Sequence, residues 1–110
     1  MSGEKKKRIY NKLVRDSIPE QIARSGDVCV HCVIEDEDEY RFALDEKLDE
    51  EIVDYQITKD ISELSDVLEV IHAIVEARGM TFEEFDQMRL KKREQRGGFT
   101  KRFLVKEIHD

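Results

Sequence analysis

Tyr40, Leu44, Leu48, Ile52 and Tyr55 recur at the three-to-four-residue spacing of a helix that buries one stripe. The acidic run Glu35 to Glu39 precedes them and suits a helix N-terminus, where carboxylates complement the macrodipole. After a break around 56–59, Asp60 and Glu63 have the spacing of a capping box. The next helix carries Ile61, Leu64, Val67, Leu68, Val70, Ile71, Ile74 and Val75, apolar around much of its circumference. Such a helix is buried on several sides, which one short chain does not easily achieve, so a symmetric homodimer or homotetramer is expected. Gly79 closes it, and Thr81 with Glu84 opens another helix whose packing face continues through Phe82, Phe85 and Met88.

Upstream, Ser17 as N-cap, Pro19 in the first turn and Gly26 as terminator predict a short helix through Ser25. Val28 to Ile34 reads as a strand, and a strand needs a partner. The last apolar run, Phe103 to Ile108, is the best candidate. The expected architecture is mainly α, with a short N-terminal helix and a small two-stranded β element, 28–34 with 102–108. It forms a single domain over 9–110 behind a flexible basic start, 1–8.

Charge changes this picture. The chain has 110 residues, 41% charged and 39% hydrophobic, with a formal net charge of -7, and the charge is partitioned. Residues 35–66 hold 14 acidic against 3 basic side chains, whereas 1–16 hold 6 basic against 2 acidic and 89–102 hold 7 against 1. Basic, acidic and basic blocks in one domain suggest a cation site flanked by anion binders. The overall negative charge disfavours general nucleic-acid binding. No apolar run is long enough to span a membrane, and the lysine-rich start lacks the apolar core of a signal peptide, so a cytoplasmic protein is expected.

Two acidic pairs carry the candidate chemistry. Glu51 with Asp54, and Glu63 with Asp66, are three residues apart, about 60° around a helix, so each pair projects both carboxylates from one face. A single pair of this kind is usually solvated surface. Here both pairs lie beside apolar residues, and charges drawn into a helical core cost several kcal/mol, roughly, unless they are paired. Oxygen donors without His or Cys suit Mg²⁺, with Mn²⁺ as substitute, and argue against zinc. Glu63 has a competing role as the capping-box partner of Asp60, and Glu50 is an additional ligand or a solvated neighbour.

Lys12 and Arg15 can hold an anion, as can Lys92 and Arg96 beside Gly97 and Gly98, whose N–H groups can approach phosphate closely. His72 is expected to be packed in its helix. Cys29 and Cys32 lie in the strand-like run, where residues three apart face opposite ways, and are expected to pack rather than bind metal.

Four blocks stand together: Tyr10 to Pro19 (YNKLVRDSIP), Lys47 to Asp54 (KLDEEIVD), Glu63 to Ile71 (ELSDVLEVI), and Lys92 to Phe99 with its RGGF. The combination resembles the all-α nucleoside triphosphate pyrophosphohydrolases, among them the small proteins grouped with MazG and phosphoribosyl-ATP pyrophosphohydrolase. The resemblance spans about residues 9–105. It implies an oligomeric helical bundle, Mg²⁺ held by ExxE and ExxD motifs, and hydrolysis of a nucleotide's α–β phosphoanhydride to monophosphate and pyrophosphate. By position, Glu51 and Asp54 match the first motif, Asp54 standing where the family usually has Glu, and Glu63 and Asp66 match the second. The interval between the motifs is shorter than in many relatives, which implies a trimmed loop.

The expected activity is therefore Mg²⁺-dependent pyrophosphohydrolysis. Glu51, Asp54, Glu63 and Asp66 would be metal ligands, Glu50 or Glu51 would handle the proton of the attacking water, and Asn11, Lys12, Arg15, Lys92 and Arg96 would bind substrate. The rival is a non-catalytic helical module that binds nucleotide or oligomerises, its acidic residues serving as caps and surface ion pairs.

Overall fold

A computed structural model describes residues 6–110. The expected basic start, 1–8, falls outside the described residues as far as position 5, and Lys6 to Arg8 are exposed.

Two long helices form the centre. Asp36 opens α2 (Glu37–Thr58) by accepting the Glu39 N–H at 2.9 Å, with Glu37, Asp38 and Glu39 in the first turn. The helix runs to Thr58, less than one turn past the last stripe residue, Tyr55, and ends at Lys59, whose N–H reaches the Tyr55 carbonyl at 2.7 Å. Lys59 sits at φ 57° in the left-handed region, where a Cβ crowds the following carbonyl. Lys59→Gly is expected to stabilise the domain by about 0.5 to 1 kcal/mol, the difference between glycine and other residues at such caps. A thermal melt would show it as a rise of a few degrees.

Asp60 opens α3 (Ile61–Ala77), which returns antiparallel against α2. Gly79, at φ 78°, and Met80 donate back to the Glu76 and Val75 carbonyls and close α3, a turn that requires a left-handed residue after the helix. Arg41 of α2 donates to the Ala77 carbonyl at 3.4 Å, placing a cation at the negative end of α3. α4 (Phe82–Arg96) begins with the expected capping box, Thr81 and Glu84 exchanging backbone bonds at 3.1 and 3.4 Å. It packs on α3 alone. Phe82 stacks on His72 with ring centroids 3.5 Å apart and leans on Phe85, so His72 is a packed imidazole, as its sequence context implied.

The core is small. Among the described residues, Leu44, Val70 and Val75 are the buried hydrophobic ones. Leu64, Leu68, Ile71 and Val75 form one i, i+4, i+7, i+11 stripe on α3; Ile71 is half-buried and Val75 buried, whereas Leu64 and Leu68 remain exposed.

Three expectations need correction. First, Ser17 precedes α1 (Ile18–Arg24) but makes no side-chain cap, because its own backbone is already helical. Second, Ile52 faces outward while Glu51 and Asp54 turn toward α3. Third, no strand forms among the described residues. The runs 28–34 and 103–108 are extended, Arg102 sits in a left-handed turn, and 28–34 and 102–108 share no backbone hydrogen bond. They leave from α1 and α4, which do not pack on each other, so among the described residues no helix contact brings them side by side.

Candidate metal centre

The seam between α2 and α3 collects the carboxylates. Asp60 spends its side chain on Ser62, accepting both its N–H and its hydroxyl at 2.9 Å, so Glu63 is not drawn into a capping box. Glu63 instead faces α2. Oxygens of Glu51, Glu63 and Asp66 lie within 4.8 Å of one another, as do those of Glu50, Glu51 and Asp54. The two groups share Glu51, which joins all four predicted ligands and the additional candidate Glu50 into one cluster.

The crowding has an electrostatic signature. Glu63 is half-buried, and its pKa is raised, first by partial withdrawal from water and then by the charges of Asp54 and Asp66, with Glu51 adding to them. Cations from two directions offset the rest. Lys47, one α-helical turn before Glu51, lies 3.5 Å from Glu51 and 3.6 Å from Glu50, and its side chain is only 16% exposed. From the segment before α1, Lys12 reaches Glu50 at 3.2 Å and Arg15 reaches Asp66 at 2.7 Å. The Lys12 pKa is raised, chiefly by its hydrogen bond to Glu50 and then by that carboxylate's charge. Asn11 leads into Lys12 at φ 44°, a left-handed turn that asparagine tolerates.

No family model, curated protein or solved structure matches this chain.

Lys92 and Arg96 stand apart. Both are exposed on α4, and among the described residues neither forms an ion pair with the cluster. Gly97, which ends α4 at φ 83° and ψ 177°, has a conformation essentially reserved for glycine. The RGGF turn is therefore a backbone requirement before it is anything else. A hollow lined by His72, Met80 and Phe82 lies at the turn between α3 and α4, and none of the clustered carboxylates lines it. Of the other sequence candidates, Cys29 is half-buried, Cys32 is exposed, and both are free thiols.

Lys47 is the participant that sequence reasoning missed. Its spacing of four from Glu51 was readable as a helical ion pair, but a lysine among acidic residues reads as a solvated face.

The donor set fits a hard divalent ion. It is all oxygen, and it comes from two helices that pack directly on each other. What the arrangement can do chemically is hold positive charge at one edge of a helical pair, with basic side chains already within reach of that edge.

Proposed function

We propose that this protein is a cytoplasmic, Mg²⁺-dependent nucleotide pyrophosphohydrolase that cleaves an α–β phosphoanhydride to monophosphate and pyrophosphate, with Mn²⁺ as a substitute ion. The observation that carries the reading is the convergence of Glu51, Glu63 and Asp66 from neighbouring helices, with Asp54 and Glu50 completing the cluster through Glu51. Glu51, Asp54, Glu63 and Asp66 would hold the ion. Once bound, a divalent cation supplies charge for the polyphosphate and makes a water more acidic.

The chain's own residues do the rest. Glu50, at the rim of the cluster, accepts the proton of the attacking water once Lys12 turns away from it. Lys12 and Arg15, now paired with carboxylates, are positioned to exchange those partners for phosphate oxygens, an exchange of one charge-assisted contact for another. Asn11 sets the turn that presents them. Lys92 and Arg96 are assigned to substrate as well, approaching from α4 or from another copy of the chain. Membranes and nucleic acid play no part in this reading; among the described residues no helix is long and apolar enough to cross a membrane. Self-association into a homodimer or homotetramer belongs to the same proposal, because Leu64 and Leu68 leave half of an apolar stripe uncovered.

The deciding experiment is release of pyrophosphate. Purified protein with Mg²⁺ or Mn²⁺ is offered canonical, modified and phosphoribosyl nucleotides, and silence across the panel defeats the enzymatic reading. Arg15→Gln should raise KM for the responsive nucleotide. In the absence of nucleotide it should tighten Mg²⁺ binding by up to about fivefold, because Asp66 loses its internal counter-ion. Titration calorimetry reads both effects.

A second reading is favoured by those same ion pairs. Lys12, Arg15 and Lys47 already neutralise much of the cluster, as they would in a non-catalytic helical module. Such a module would melt at the same temperature with and without millimolar Mg²⁺, whereas a folded-state metal site must be stabilised by its ligand.

A further inference from the structure

The two extended runs are unusual in what they leave in water. Val28, Val30 and Val33 are 81 to 94% exposed, and Phe103, Leu104 and Ile108 are 81 to 83% exposed. Among the described residues, neither 28–35 nor 103–110 makes any hydrogen bond from its backbone to another part of the chain's backbone. Extended, β-branched, apolar segments with free N–H and C=O groups are strand edges awaiting a partner.

The size of the unburied surface says what that partner is. The chain exposes 10526 Å², whereas a compact chain of its mass, 13.0 kDa, exposes roughly 6,300 Å². Its radius of gyration is 19.5 Å, against about 13 Å for a compact domain of this length. The excess, about 4,000 Å² on one chain, is more than the roughly 1,000 to 2,500 Å² that each chain of a large obligate dimer covers, so a second copy has ample surface to bury. The segments are also complementary in charge. Glu35 and Asp36 follow the first run, and Lys101 and Arg102 precede the second.

We propose that two copies of this chain exchange these segments, the 28–34 run of one forming an antiparallel ladder with the 103–108 run of the other. Antiparallel pairing sets Glu35 and Asp36 of one copy across from Arg102 and Lys101 of the second, and register follows from that match, with Cys32 opposite Val105. Parallel pairing would instead lay Glu35 beside the acidic end at Glu107, which is unfavourable across a ladder. The positive φ of Gly97 and of Arg102, at 83° and 58°, turns the last segment off the axis of α4 and presents it outward. This inference shares with the proposed function only the expectation of self-association and stands whether or not the protein hydrolyses nucleotides.

The full chain is tested by sedimentation and by cross-linking. Wild type should sediment as a dimer or a multiple of it at micromolar concentration, and Leu104→Glu should weaken the dimer about tenfold or more while circular dichroism shows the helices intact. In the second measurement, a chain keeping only Cys32 (Cys29→Ser) is mixed with a differently tagged chain carrying Cys29→Ser, Cys32→Ser and Val105→Cys, under oxidised glutathione. A disulfide joining the two tags supports the exchange. A monomeric wild type, a dimer that forms no such cross-link, or a chain carrying both thiols that closes only within itself overturns it.

Discussion

Glu63→Gln should abolish Mg²⁺-dependent stabilisation and pyrophosphate release while leaving the metal-free fold at least as stable as wild type. The sign follows from the crowding of Asp54, Asp66 and Glu51 around this half-buried carboxyl, which raises its pKa. A carboxyl with a raised folded-state pKa binds protons more readily in the native state than in the unfolded chain. Its ionised form therefore opposes folding above the usual carboxylate range, and the opposition fades as pH falls through the raised value. Glutamine keeps the shape and removes the charge, so the metal-free melting temperature should hold or rise at neutral pH, and the gain should shrink on acidification. Metal affinity should fall by more than the roughly 10- to 100-fold typical of losing an outer-shell partner. Calorimetric melts at two pH values, with and without Mg²⁺, separate these effects. A wild-type-sized Mg²⁺ shift in Glu63→Gln would remove Glu63 from the ligand set.

Leu44→Ala should be the most damaging single change in the helical pair. Leu44 is 2% exposed and is, among the described residues, one of three buried hydrophobic ones, with Val70 and Val75. Truncating a buried leucine costs about 2 to 5 kcal/mol, depending on how far the site collapses. For a domain of this length, 3 kcal/mol corresponds to a fall of roughly 12 to 24 °C in melting temperature. The informative contrast is Leu68→Ala, on the bare half of the α3 stripe and 47% exposed. In an isolated chain that change should cost less than about 1 kcal/mol. In an assembled protein it should approach Leu44→Ala, and its cost should depend on protein concentration. Melts of both variants over a range of concentrations decide between these outcomes.

What could be read from the sequence was local. The Thr81–Glu84 capping box, the Gly79 terminator and a start of α2 within the acidic run 35–39 depend on residues within one turn of each other, and each appears in the structure as expected. The four carboxylates were legible because their spacing of three fixes each pair on one helix face, and only the meeting of the two faces needed tertiary structure. The failures share a different cause. Asp60 had two donors to choose from, and Ser62 rather than the residue after it won its side chain. On α2, reading apolar as inside placed Ile52 in the seam, whereas Lys47 makes it tolerable for Glu51 to lie there instead. The strand partner for 28–34 was a guess about distant segments, and distant segments meet only where the helices carrying them pack. Lys92 and Arg96 have the right charge, yet no spacing rule tells where a helix that touches a single neighbour will point.

That single attachment has a mechanical consequence. α4 meets α3 at its first turn, where Phe82 stacks on His72, and its 15 residues reach Arg96, a length of about 22 Å. A tilt of about 10° at that end would swing the basic tip by about 4 Å, whereas the acidic cluster lies between α2 and α3 and would not follow it.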